Sequence, residues 1–163
     1  MIVRLAEEQD FPGLLSLAAQ VEHWFGPMVE DAGFHGAVHE RIRRSTALVA
    51  ASEGSSGPDL LGGLLFGVKE PTHHVDWLVI SEQARGKGVG RALMADAMRR
   101  WVRGPAGIEV VTFGADHPGA SASGARVFYE RLGFVPGEVV GPGPEGGSRQ
   151  VFRRAVPSEA NRR

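Results

Sequence analysis

The stretch Val75-Asp76-Trp77-Leu78-Val79-Ile80-Ser81-Glu82-Gln83-Ala84-Arg85-Gly86-Lys87-Gly88-Val89-Gly90-Arg91 decides how the rest of the chain is read. It opens as a β-type run, passes through a short turn, and ends in glycines that start a helix. The apolar stripe of that helix is Val89, Leu93, Ala97, Met98 and Trp101. A strand that feeds a helix through glycine is an anion site on physical grounds. The first amides of a helix lack intrahelical acceptors and carry the positive end of its dipole. Gly86, Gly88 and Gly90 let a phosphate approach the backbone with no Cβ in the way. Arg85, Lys87 and Arg91 add three cations around the same point.

Several anion motifs share this logic and are separated by spacing. A Walker A loop needs Ser or Thr after its lysine, and Lys87 is followed by Gly88. A dinucleotide fingerprint needs Gly-x-Gly-x-x-Gly, whereas the glycines here stand at every second position, and the next strand offers no clear acidic end. The bland alternative is a loop that only turns a corner. Alternate glycines flanked by three cations argue against it.

Working outward, residues 2–5 alternate as a short strand. Asp10 can cap a helix with Pro12 in its first turn, carrying Phe11, Leu14, Leu15, Ala18, Val21 and Phe25 on one stripe. A second helix holds Phe34, Val38 and Ile42. Residues 47–51, 60–68 and 75–80 read as a meander of strands. After the glycine-led helix come a buried-type strand at 108–113 and a helix marked by Ala125, Phe128, Tyr129 and Leu132, with Gly133 suited to its C′ position. Two closing strands at 134–140 and 149–156 flank a Gly/Pro-rich loop. The order β-α-α-β-β-β-α-β-α-β-β predicts an α/β (α+β) fold: a mixed, mostly antiparallel sheet of about seven strands with helices on both faces. Residues 1–156 form one domain and residues 157–163 a tail. Residues 53–59, 141–148 and the tail read as flexible.

Composition bounds the function. The chain has 163 residues, 42% hydrophobic and 23% charged, enough for one buried core. A net charge of -1 offers no field for a polyanion, so no nucleic acid is expected. Cysteine is absent, which excludes a disulfide framework, a thiolate zinc site and a cysteine nucleophile together. The N-terminus turns acidic too early for a signal peptide and no apolar run approaches a membrane span, so a cytoplasmic protein without membrane contact is expected.

Arg85-Gly86-Lys87-Gly88-Val89-Gly90 resembles the Arg/Gln-x-x-Gly-x-Gly/Ala signature of the GNAT superfamily, the Gcn5-related N-acetyltransferases. Further on, Ala125-Arg126-Val127-Phe128-Tyr129-Glu130-Arg131-Leu132-Gly133-Phe134 is similar to the family's Ala-x-x-Phe-Tyr-Glu-x-x-Gly-Phe segment. The resemblance implies acetyl-CoA as cosubstrate and no metal. It places the pyrophosphate on the amides around Lys87 to Gly90, with Arg85, Gly86, Val89 and Arg91 beside them. The preceding strand is implied to splay from its neighbour and to pair with the pantetheine arm through the main chain of Leu78, Val79 and Ile80. Tyr129, next to Phe128, is implied to protonate the departing thiolate; the bland reading is a core tyrosine with its hydroxyl at the surface. The asparagine that many members carry before the second motif is replaced by Ala122, leaving Ser121 or Ser123 as the substitute.

Amide formation from a thioester needs a neutral amine, a stabilised carbonyl oxygen and a tolerated leaving group. By period-two alternation His74, Asp76, Leu78 and Ile80 share one side of the strand, so Asp76 or His74 could take the amine proton. A satisfied carboxylate and a surface histidine are the competing readings. Glu22 and Glu30, near Trp24 and Phe25, fall in the segment that the resemblance assigns to the acceptor, where acid and aromatic suit a cationic amine. Solvated surface carboxylates compete with that reading. His35 and His39 stand at i,i+4 but show no third ligand, so no metal is expected.

The expected function is an N-acetyltransferase that moves an acetyl group from acetyl-CoA directly to a primary amine of a small molecule, through a ternary complex. A protein or peptide acetyltransferase acting on lysine or an N-terminus, and a non-catalytic CoA-binding module, are the alternatives. Family members are often dimers, so a homodimer is an expectation from the resemblance alone.

Overall fold

The structure is a computed structural model that describes residues 1–53 and 59–158. Most of the 53–59 turn and the end of the 157–163 tail lie outside the described residues. The elements are β1 (Ile2–Leu5), α1 (Phe11–Ala19), α2 (Glu22–Phe25), α3 (Ala32–Arg43), β2 (Ala47–Ala51), β3 (Gly62–Gly67), β4 (Thr72–Ile80), α4 (Val89–Trp101), β5 (Ala106–Phe113), α5 (Pro118–Ser123), α6 (Ala125–Arg131), β6 (Val135–Val140) and β7 (Arg149–Val156). The strands form one seven-stranded sheet in the order β1-β2-β3-β4-β5-β7-β6. Pairing is antiparallel between β1 and β2, β2 and β3, β5 and β7, and β6 and β7, and parallel between β4 and β5. The mixed, mostly antiparallel sheet predicted from the sequence is the one observed.

The first helix is shorter than its apolar stripe. α1 buries Leu14, Leu17 and Ala18 and stops at Ala19; the chain then makes the single turn α2 and reaches Gly26 at φ +90°. Phe25, expected on the buried stripe, is 37% exposed. α3 starts where the Asp31 carboxylate accepts the Phe34 N–H at 2.8 Å, a cap that contributes about 1 kcal/mol. α5 had no counterpart in the sequence reading, because Pro-Gly-Ala-Ser-Ala-Ser carries no apolar period; His117 caps it through Nδ1 and Pro118 takes its first position.

The chain divides into two compact units. The first comprises Met1–His23, Pro27–Gly67 and Asp76–Trp101. Its strands are covered on both faces. A side chain at Gly63 would meet Leu14, Leu17 and Trp77, whereas one at Gly62 would meet Val89, Leu93 and Ile80. Phe66 stacks on Trp101 with ring centroids 5.3 Å apart. One face of β3 therefore looks toward α1 and the other toward α4. β2 is buried along its whole length. The second unit comprises Trp24–Gly26, Val68–Val75 and Val102–Arg163, as far as these are described. Its core is Ile108, Tyr129, Phe134 and Phe152, each less than 9% exposed. Arg126 ties it together, donating to the Phe113 carbonyl at 2.9 Å and to Gln150 Oε1 at 2.6 Å with its guanidinium 4.9 Å from the Phe152 ring. α6 ends as its sequence foretells, with Gly133 at φ +90° and the Phe134 N–H donating to the Tyr129 carbonyl.

Candidate active site

The glycine turn takes the backbone conformations its sequence calls for. Gly86 and Gly88 sit at φ +76° and +83°, conformations that L side chains rarely adopt, and a Cβ at either would meet nothing within 4 Å. The turn is thus strained for other residues and open above the backbone. The Gly88 carbonyl accepts the Ala92 N–H at 3.0 Å, so the helix begins there and its first-turn amides lack intrahelical acceptors. Lys87 and Arg91 are exposed, and among the described residues neither is in an ion pair. The site fits a pyrophosphate by open space, amide donors and cations.

β4 departs from the alternation read in the sequence. Ile80 lies against Gly62 on the α4 face, while the Asp76 carboxylate lies against Gly67, which shares the α1 face of β3 with Gly63. Trp77 also lies against Gly63 and packs on Phe34 at 5.5 Å. Asp76 and Trp77 are consecutive yet share a face. Alternation breaks between them in the manner of a β-bulge, and the expectation that Asp76 and Ile80 lie on one side is corrected. His74 and Asp76 keep a common side, opposite Leu78 and Ile80. The registered pairs of β4 with β5 run from Thr72↔Gly107 to Val75↔Val110 and end at this break. The main chain of residues 78–80 continues beyond those registered pairs.

Asp76 meets the Arg41 guanidinium at 3.0 Å. His74 is half-buried. Its neighbour His73 is fully buried; desolvation lowers its pKa, and its Nδ1 accepts the Lys69 N–H at 3.0 Å. In the first unit Glu22 is committed to local structure, accepting the Met28 and Val29 N–H groups at 2.6 and 3.0 Å, which lower its pKa. Glu30 is exposed. His35 Nε2 bonds the Val29 carbonyl, and His39 stacks on Phe11 at 4.2 Å and pairs with Glu8.

In the second unit Tyr129 is 6% exposed, edge-on to Phe128 at 5.0 Å and to Phe134 at 5.5 Å. Burial pushes its phenol pKa well above the ordinary tyrosine value. Ser123 bonds the Gly119 carbonyl and accepts the Ala125 N–H at 3.2 Å, so its hydroxyl serves the junction of α5 and α6. Trp24 and Phe25 close on Phe113, at 6.1 and 4.8 Å.

Sequence reasoning missed what stands beside those rings. The 141–148 loop, read as flexible, is pinned. The Gly114 N–H donates to the Ser148 carbonyl at 2.9 Å, Ser148 Oγ bonds Asp116, and Glu145 reaches 3.5 Å from His117 Nε2. A Cβ at Gly147 would fall 2.2 Å from the His117 ring. The one signal was a lone glutamate inside a Gly/Pro run.

The model of the acetyltransferase (GNAT) domain family matches residues 43–136, more than half of the chain, and includes both the glycine turn and the Tyr129 segment. The chain belongs to the GNAT acetyltransferases. A search of curated proteins finds no match. Among solved structures, the acetyltransferase is similar to a ribosomal-protein-alanine N-acetyltransferase from Brucella melitensis (20% identity, TM-score 0.70, covering 96% of this chain and 100% of that one). It is similar to the PaiA N-acetyltransferase from Thermoplasma acidophilum in complex with coenzyme A (14%, 0.70, 95% and 98%). It is also similar to a chain of the NatC complex bound to Gag peptide and CoA (14%, 0.73, 95% and 98%). At these identities the likeness shows the fold. With the family match, this GNAT acetyltransferase takes acetyl-CoA as its donor. Among its described residues no helix is long and apolar enough to cross a membrane.

Proposed function

We propose that this GNAT acetyltransferase moves the acetyl group from acetyl-CoA directly to a primary amine of a small molecule, with both substrates bound together. The observation that carries the reading is the open, positive-φ glycine turn at the start of α4, directly after a strand whose parallel ladder ends at Val75. The amides around Lys87 to Gly90 hold the pyrophosphate, with Arg85 and Arg91 as flanking cations, and the main chain of residues 78–80 holds the pantetheine arm. A main-chain N–H near Leu78 or Val79 polarises the thioester carbonyl. Holding both reactants in line supplies roughly 7–11 kcal/mol of barrier lowering. The sequence has no cysteine to carry the acetyl group between them.

Tyr129 donates its hydroxyl hydrogen bond to the thiolate as it leaves. Its raised pKa keeps that proton in place across the neutral range. Asp76 and His74, on a common side of β4, take the proton of the incoming ammonium, directly or through water. The pinned 141–148 loop, tied to Gly114, Asp116 and His117, favours a small acceptor over a peptide. A second reading, acetylation of a protein N-terminus, draws on the similarity to ribosomal-protein-alanine N-acetyltransferases.

The first test is thermal unfolding with acetyl-CoA, with NAD and ATP as controls. At 100 times its Kd a ligand of the folded state alone stabilises by about 2.7 kcal/mol. Stabilisation confined to acetyl-CoA supports the donor site and opens an amine screen by thiol release. No stabilisation at saturation would overturn the assignment of the glycine turn.

A further inference from the structure

The connection from β4 to α4 is fastened to the rest of the first unit at a place that no motif marks. Glu82–Ala84 form a single 3-10 turn, whose first N–H, on Glu82, has no acceptor inside it. Ser81 stands at the N-cap, a residue type that often caps with its own hydroxyl, but its side chain makes no such bond. The Glu82 N–H donates instead to Gln20 Oε1 at 2.9 Å, a side chain 62 residues away in the sequence, at the C-cap of α1.

Side chains do not fill the space on that side of the turn. An open cavity of about 990 Å³ has Ser16, Leu17 and Gln20 in one part of its wall and Ser81, Glu82 and Lys87 in another. Two other points fix the turn: the Ser81 N–H donates to the Leu61 carbonyl at 2.9 Å, and Ala84 is buried. Beyond Ala84 the hold is weak. The bond from the Arg85 N–H to the Glu82 carbonyl stretches to 3.5 Å, and the chain then enters Gly86 and Gly88, with open space where a Cβ would stand. Glycine has the widest choice of backbone conformations, so the direction of such a segment depends on where it is anchored. Glu82 is held by Gln20 at its N–H and holds Arg85 through its carbonyl, which makes it that anchor.

Resting on the assignment of the glycine turn to the pyrophosphate of acetyl-CoA, we infer that Gln20 is a positioning residue for the donor site. Its side-chain carbonyl fixes the turn from which the amides of Lys87 to Gly90 are presented, before the coenzyme arrives. Donors fixed in advance bind an anion without the cost of ordering the loop on binding. With no acceptor at position 20, the Glu82 N–H turns to water in the cavity and the glycine turn samples several positions. Acetyl-CoA then binds only the fraction of molecules in the competent one, and its apparent affinity falls by that fraction. The effect belongs to donor affinity and not to the acetyl transfer step.

The test uses the full chain and acetyl-CoA alone, so it needs no acceptor. Calorimetric titration gives the Kd for acetyl-CoA, and hydrogen exchange read by mass spectrometry follows residues 82–90, in wild type, Gln20→Met and Gln20→Glu. Methionine keeps the length of the side chain and removes the acceptor, whereas glutamate keeps an acceptor oxygen, with its added charge screened by about 0.3 M salt. Urea unfolding of each free chain is the control for fold. Gln20→Met should raise the Kd about tenfold, equivalent to about 1.4 kcal/mol. It should also speed exchange at residues 82–90 while the rest of α4 exchanges as in the wild type. Gln20→Glu should keep the Kd within about threefold of the wild type and retain the protection. An unchanged Kd in Gln20→Met overturns the inference, as does an equal loss in both variants. Faster exchange throughout the first unit, or a Gln20→Met chain that no longer folds, also overturns it, because Gln20 would then support the fold and not the turn. A wild type that does not bind acetyl-CoA would instead sink the glycine-turn reading on which the inference rests.

Discussion

At Tyr129 the surroundings define what the side chain can offer. Burial raises its pKa above that of an ordinary phenol, and a free thiol titrates near 8.5, so complete proton transfer to the thiolate runs uphill. The useful contribution is a hydrogen bond that strengthens as negative charge develops on sulfur. Tyr129→Phe is expected to lower kcat by about 100-fold with little change in the KM for acetyl-CoA, measured by thiol release. The sign of the pH effect on stability follows from the raised pKa. The buried phenol's contribution is fully present below about pH 10 and is lost as the pH rises further, so the Phe variant should resist alkaline unfolding better. Asp10 behaves in the opposite sense. Burial pushes its carboxyl up, but hydrogen bonds from Arg4 at 2.7 and 2.9 Å and from the Glu7 N–H outweigh that, and its pKa is lowered. Asp10→Ala should cost about 1–2 kcal/mol by denaturant titration, less than a wholly buried pair, because Arg4 is 38% exposed and can turn to water. At this scale the sequence was informative where a residue acts through the backbone it sits on, as at Gly86 and Gly88. It was uninformative where a residue acts through a partner far along the chain, as Glu145 does through His117.

Elements expose why patterns succeed and fail. The stripe of α4 was legible because Val89, Leu93 and Ala97 are buried at a regular four-residue spacing along the helix. The stripe assigned to the first helix was not, because Val21 is buried from outside α1 and mimics the helical period. The alternation of β4 misled for a related reason. An extra residue in a strand shifts the faces of its neighbours, and no residue type at Asp76 or Trp77 announces it. Two substitutions test the turns. Gly88→Ala places a Cβ at φ +83°, and it should destabilise by about 1–2 kcal/mol and weaken acetyl-CoA binding, read by thermal shift with and without the ligand. Gly147→Ala forces the 141–148 loop off His117. Acetyl-CoA stabilisation should survive while turnover of any acceptor falls, by about tenfold or more, in a steady-state assay.

The whole molecule was the most legible level. Strand number, the mixed sheet and the family all followed from two motifs in an ordered pattern of elements, because each motif sits where its own local structure demands it. Strong acid should remove a support of the β6 edge. The Arg153 guanidinium, bonded to Glu138 at 2.5 and 2.6 Å, lowers that carboxyl to about 2, so this support is present above about pH 4.5 and lost as the pH falls through about 2. Hydrogen exchange of residues 135–140 along an acid series checks the loss. The shared face of Asp76 and Trp77 makes Asp76 a spacer as much as a charge. Deleting it would leave every other side chain of β4 on the face it now occupies and would restore an unbroken two-residue beat. The shortened strand should therefore fold, by circular dichroism, and its response to acetyl-CoA, read by thermal shift, tests whether the break serves the proposed donor site. One surplus residue interrupts the beat of β4 directly after the last of its registered parallel pairs, so a side chain read from the sequence as facing one way faces the other.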